Sequence, residues 1–151
     1  MRTQYHFIIS LILASIFYIL TSSITGSILF FLVGFLMDVD HWLDYWLSSG
    51  KINFNVRELF EYSYQCKYKK IHLIFHSIEL LPIILLLGNY FFNRILTYGI
   101  VLGFLSHLIS DYIGNSVKPL SYFFTYRLIK KFEFWEIVDK KRFEKSKKGN
   151  K

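Results

Sequence analysis

Cysteine is nearly absent. Cys66 is the only one in 151 residues, which excludes an internal disulfide and a thiolate metal cluster, so any metal site must use His, Asp and Glu. Proline occurs only twice, and a composition that is 53% hydrophobic and 20% aromatic excludes disorder and points to long buried or lipid-facing helices. Charge is missing altogether from Phe7 to Met37. That run is too long for the roughly 7–15-residue apolar core of a cleaved signal peptide, and is expected to remain in the mature protein. The length suits about one domain and leaves no room for separate catalytic and regulatory halves.

Within the uncharged run, Thr21-Ser22-Ser23 and Thr25-Gly26-Ser27 read as a turn between two antiparallel helices. Each would be about 15 residues, or roughly 22 Å, short of the ~20 residues that usually cross a bilayer. A third apolar stretch runs from Ile71 to about Phe92, with a kink expected at Pro82, and a fourth from Ile95 to Ile113. Gly88-Asn89 and Asn93-Arg94 mark their connection. A polar, aromatic loop is expected from Asp44 to Lys70. The fold class that follows is all-α: a polytopic membrane helical bundle of about four short transmembrane or membrane-embedded helices, with a cytoplasmic helical segment and a basic tail. Residues 1–139 would form one domain, and residues 140–151 a disordered tail.

The net charge of +7 is compatible with nucleic acid, anionic lipid or the cytoplasmic loops of a membrane protein. Its distribution decides among them. With four spans, Arg94 is the only one of the 18 Lys and Arg residues on one side, and the positive-inside rule makes the other side cytoplasmic. Membrane lipids are therefore the expected partner. Nucleic-acid binding is not expected, because the basic tail carries no recognition motif.

The same four-span arrangement brings the ligand-type side chains to one level. His6 opens the first helix, Asp38, Asp40 and His41 close the second, His72, His76 and Glu79 open the third, and His107 and Asp111 close the fourth. His107 and Asp111 are four apart, as are His72 and His76, and Glu79 follows His76 by three, so each set would share a helix face. Imidazole with carboxylate suits zinc, and also manganese or iron. There are more candidates than one tetrahedral zinc can take, which leaves room for a second ion or for residues that orient the ligands. Taken singly, each has a plainer reading: His at a helix end is ordinarily interfacial, Asp38 and Asp40 can cap a helix, and Asp44 can solvate a loop. Glu79 and Asp111, however, lie in or beside apolar helices, where an unpaired carboxylate is costly. Trp42, Tyr45, Trp46, Tyr62, Tyr64 and Tyr68 read as an interfacial aromatic belt, and Cys66 has no expected chemistry.

Asp38-Val39-Asp40-His41, His76-Ser77 and Ser106-His107-Leu108-Ile109-Ser110-Asp111 together resemble the YdjM-like family of inner-membrane, metal-dependent hydrolases. Members carry an early His, then Pro-Asp-Ile-Asp-His, Thr-His-Ser and His-x-x-x-Asp motifs in this order, and the order is reproduced here from His6 to Asp111. Here Met37 stands for the Pro, Phe75 for the Thr, and an upstream His-Arg pair is absent, with His72 one residue out of place for that His. The resemblance implies a multi-pass inner (plasma) membrane protein with its site on the cytoplasmic side. It also implies that His6, Asp38, His41, His76, His107 and Asp111 bind a divalent metal and that Asp40 is catalytic; the His-Ser-x-Glu pattern adds Glu79 as a catalytic candidate. A looser similarity of site chemistry to zinc-dependent phospholipase C suggests phosphoester or phospholipid hydrolysis. The competing expectation is a non-enzymatic membrane scaffold or adaptor in which the polar cluster only locks helix ends together.

Overall fold

The structure, a computed structural model, describes residues 3–64 and 69–149, with the side chains of 60, 61, 63, 64 and 146–149 left out. Cys66, Tyr68 and the Tyr64 side chain thus lie outside the described residues. The elements in order are α1 (Thr3–Thr21), α2 (Ile24–Leu36), a 3-10 turn (Met37–Val39), α3 (Asp40–Ser49), α4 (Val56–Tyr64), α5 (Leu80–Phe91), α6 (Arg94–Gly114), a second 3-10 turn (Pro119–Tyr122), α7 (Phe124–Ile129), α8 (Phe134–Ile137) and α9 (Lys140–Gly149). Among the described residues the fold is all-helical, with only two isolated β-bridges.

The chain divides into two compact units, one of residues 1–38 and 78–115 and the other of residues 39–77 and 116–151. The first unit holds α1, α2, α5 and α6. The α1–α2 turn is tighter than the sequence suggests: Ser22 takes a left-handed φ of 53°, and Ser23 caps α2 by accepting from the Gly26 N–H at 3.1 Å. Thr25, Gly26 and Ser27 already belong to the helix. Asn93 caps α6 in the same way, accepting from the Leu96 N–H at 3.0 Å.

Helices α2 and α6 form the most extensive helix contact, and small residues explain how close they come. A Cβ at Gly99 would fall on the Gly26 carbonyl oxygen, and one at Gly103 on the Phe30 carbonyl oxygen. On α1, Ser10 lies against Gly34 in the same manner. Ala14, Phe17 and Phe30 form the apolar cluster between α1 and α2.

The third apolar stretch is helical only from Leu80 to Phe91, and Pro82 does not kink it. Pro82 stands in the first turn, where its missing N–H needs no acceptor and its ring meets no preceding turn. The residues before it, including His72 and His76, are non-helical, with Leu73 in the left-handed region at φ 40°. The segment expected to be a loop from Asp44 is helical through Ser49, and Lys140–Gly149 forms α9.

Among the described residues three helices are long and apolar enough to cross a membrane: Thr3–Thr21, Arg94–Gly114, and the run Ile24–Ser49 that includes the first 3-10 turn. α1 buries His6 and Ser10 beside Ala14 and Phe17 while Leu11, Ile12, Ile16, Ile19 and Leu20 are exposed, which suits a lipid surround. The apolar α5 has 12 residues, roughly 18 Å, against a hydrocarbon core of about 30 Å.

The second unit has its own core of Ile71, Phe134, Ile137 and Val138, flanked by Tyr62, Leu73, Val117 and Phe143. The bridges Lys70–Glu133 and Val117–Val138 tie its chain segments together. Arg127 is buried here and donates to Ser77 Oγ, which in turn donates to the Ile74 carbonyl at 2.7 Å.

Candidate metal centre

Each ligand in the first unit arrives at the end of a stripe of residues four apart. On α6 the stripe is Gly99, Gly103, His107, Asp111; on α2 it is Gly26, Phe30, Gly34 and then Asp38 in the 3-10 turn; on α1, Ser10 is one turn from His6. Residues at this spacing share a helix face. The face that lets the backbones approach is therefore also the face that carries the imidazoles and carboxylates. Close approach brings Gly34 O within 2.8 Å of His107 Nδ1.

The result is a buried group of His6, Asp38, His107 and Asp111 that can hold a metal ion, with one ligand atom from each residue and all of these within 4.8 Å of one another. His6, His107 and Asp111 are almost wholly buried, and Asp38 is 15% exposed. His107 Nε2 lies 3.5 Å from Asp38 Oδ1 and 3.6 Å from Asp111 Oδ2. Metal bonds of about 2.0–2.2 Å in tetrahedral geometry put neighbouring ligand atoms roughly 3.3–3.6 Å apart, so these separations fit one ion.

Hydrogen bonding fixes how His107 presents itself. A carbonyl only accepts, so Nδ1–H donates to Gly34 O and Nε2 is the ring atom that faces the two carboxylates. Acceptors facing one another in a buried site repel unless a cation lies among them. His6 and His107 are stacked with centroids 4.0 Å apart and 16° between planes. A divalent cation would balance both carboxylates. His6 Nε2 is 3.0 Å from Asp111 Oδ1, and its buried Nδ1 has no hydrogen-bond partner among the described residues, so protein groups alone leave the site incomplete.

The remaining candidates fall elsewhere. Glu79, half-buried, immediately precedes α5 in the first unit and makes no side-chain cap. Asp40, His41 and His76 belong to the second unit. There Asp40 Oδ2 accepts from the Phe75 N–H at 2.8 Å and faces His76 Nδ1 at 3.2 Å. The His41 ring lies 5.3 Å from that of His76.

His72 and His76 do not form the expected helical chelating pair. Each instead meets its own aspartate on α3, His76 at Asp40 and His72 at Asp44. Asp44, expected to solvate a loop, is buried. Trp42, Tyr45, Trp46 and Tyr62 do gather, through Trp42–Trp46 and Tyr45–Tyr62 ring contacts. Sequence reasoning missed the glycine stripe, although Gly99-x-x-x-Gly103 in an apolar helix was a readable signal of close helix packing. It missed the Asp44–His72 contact for want of the helix that carries Asp44. Comparison with protein-family models, with curated proteins and with solved structures returns no match.

Proposed function

We propose that this chain is a membrane-embedded, metal-dependent hydrolase that holds a divalent cation, zinc by preference, on His6, Asp38, His107 and Asp111. The observation that carries the reading is His107 Nε2 placed 3.5 Å and 3.6 Å from the carboxylates of Asp38 and Asp111, with Nδ1 committed to Gly34 O. Two nitrogens and two carboxylates without sulfur suit zinc, and also manganese or iron. When bound in a site with an open position, such an ion lowers the pKa of water and polarises a phosphoryl oxygen. The protein's own part is to fix the ligands: Gly34 O sets the tautomer of His107, the His6 stack limits its rotation, and the α2–α6 contact sets the spacing.

The substrate class proposed is a phosphoester, with a phospholipid favoured because the ligands stand at the ends of apolar, span-capable helices. The order of motifs supports membership of the YdjM-like hydrolases that they resemble, and the distribution of Lys and Arg supports a plasma-membrane protein with this end on the cytoplasmic side. Metal analysis with hydrolysis of bis(4-nitrophenyl) phosphate and of phosphatidylglycerol vesicles tests the reading. Stoichiometric metal with turnover supports it, and metal-free purified protein overturns it.

A specific observation favours a second reading. Four protein ligands would close a tetrahedral zinc shell, as structural sites do, and leave no position for water. A scaffold of that kind binds metal and loses its fold with chelator, yet hydrolyses neither substrate.

A further inference from the structure

In Ile52-Asn53-Phe54-Asn55-Val56 apolar residues alternate with asparagines, a pattern that sends the two kinds of side chain to opposite sides of an extended segment. Gly50 ends α3 in the left-handed region at φ 68°, its N–H bonding the Trp46 carbonyl, and α4 begins at Val56. The asparagines face the frame of the loop. Asn53 Nδ2 donates to Glu58, which also accepts from the Tyr45 hydroxyl, and Asn53 Oδ1 accepts from the Asn55 N–H at 2.9 Å. Asn55 Oδ1 holds the first turn of α4 by accepting from the Arg57 N–H at 3.0 Å, and the Asn53 carbonyl accepts from Trp46 Nε1–H at 2.9 Å. Ser49 Oγ bonds both the N–H and the carbonyl of Lys51, each at 3.2 Å. The apolar side chains face out: Ile52 is 79% exposed, Phe54 72% and Val56 56%. Phe54 rests on tryptophan, its ring centroid 6.0 Å from that of Trp42 and 5.1 Å from that of Trp46.

An apolar tip held out by a hydrogen-bonded frame marks an interaction surface, and three observations say what covers it. Polar groups around the tip are bonded inward, so the loop can leave bulk water without stripping those donors and acceptors bare. Its base is tryptophan, a ring favoured where one side is apolar and the other wet, as at a bilayer interface. The charge fits anionic lipid: all of the 18 Lys and Arg residues except Arg2 and Arg94 fall in the sequence segments of the second unit, and exposed Lys51 and Arg57 flank the tip itself. We propose that residues 51–56 form a membrane-docking wedge. Ile52, Phe54 and Val56 enter the boundary between headgroups and acyl chains of an anionic bilayer, while Lys51 and Arg57 meet its phosphates. The wedge rests on the membrane reading of the chain, and on neither the metal nor the hydrolysis.

The test uses the full chain carrying Cys66→Ser and Ile52→Cys, labelled with the fluorophore NBD at position 52, in nanodiscs of phosphatidylcholine with or without phosphatidylglycerol. The label is expected to emit blue-shifted, to be quenched by lipids with a doxyl group near the headgroup, and to be shielded from iodide in water. Doxyl quenching should be stronger with phosphatidylglycerol, and that difference should shrink as salt rises. Phe54→Asp, with helicity unchanged, is expected to lose the doxyl quenching and regain iodide quenching, and Lys51→Glu with Arg57→Glu to lose the dependence on phosphatidylglycerol. Equal doxyl quenching in the two lipids overturns the role given to charge. A label reached by iodide and not by doxyl lipid overturns the wedge. So does one shielded from both, which would mean that protein, a second copy included, covers the tip. Resistance of the membrane-bound chain to alkaline carbonate checks the spans separately. An iodide-quenched loop in a resistant chain overturns this inference alone, whereas a chain that carbonate removes overturns the spans and the wedge together.

Discussion

Gly103→Ala adds one methyl group, touches no proposed ligand, and should still weaken metal binding. Its Cβ would fall on the Phe30 carbonyl oxygen, a backbone atom that cannot rotate away. An ordinary contact is restored only if α2 and α6 part by roughly 1 Å. His107 stands one turn beyond Gly103, and Gly34 one turn beyond Phe30, so the same displacement stretches the Nδ1–Gly34 O hydrogen bond from 2.8 Å to past bonding range. The 3.5 Å separation of His107 Nε2 from Asp38 Oδ1 opens with it, beyond what metal bonds of about 2 Å can span in a tetrahedron. Overpacking of this kind costs about 1–3 kcal/mol. If that cost falls on the bound state, affinity drops roughly 5- to 150-fold. Competition with a chromophoric chelator reads this directly. Leu102→Ala, at the neighbouring exposed position of α6, is the control and should bind as wild type. Wild-type affinity in Gly103→Ala, or an equal loss in Leu102→Ala, would refute the coupling of helix approach to ligand spacing.

Other consequences are independent of that one. Ser23→Ala removes the α2 cap and Asn93→Ala the α6 cap, and each should cost about 1 kcal/mol in denaturant unfolding of the detergent-solubilised protein. Reporter fusions at the α1–α2 turn, at the α5–α6 turn and at the carboxyl terminus should give a cytoplasmic signal only at the last; equal cytoplasmic signals from all three would contradict the proposed topology. His6→Ala removes one side of the imidazole stack and one ligand, and should weaken metal binding less than loss of Asp111, which faces both histidines.

The outline of the fold was legible where chemistry repeats along the chain. The uncharged run, the break at Thr21-Ser22-Ser23 and the apolar stretch ending near Asp111 mark α1, α2 and α6, because long apolar helices write their length directly in hydropathy. The meeting of His6, Asp38, His107 and Asp111 was legible too, since antiparallel helices return to one level at alternate ends. The third stretch was misread because an apolar run does not say where a helix starts, whereas Pro82 does: it sits in a first turn far more comfortably than eleven residues into a helix that began at Ile71. With that start misplaced, His72 and His76 took on a helical spacing they do not have. Their real partners, Asp44 and Asp40, lie on α3, whose polar and aromatic composition had looked like a loop. Nothing in the sequence marks Arg127 for burial, which follows from long-range packing of the second unit.

The most direct test is elemental analysis of the protein purified in detergent without added metal, set beside His107→Ala and Asp111→Ala prepared in the same way. About one divalent ion per chain in the wild type and none in either variant is the result predicted. A metal-free wild type, or variants that keep the ion, would contradict the metal centre.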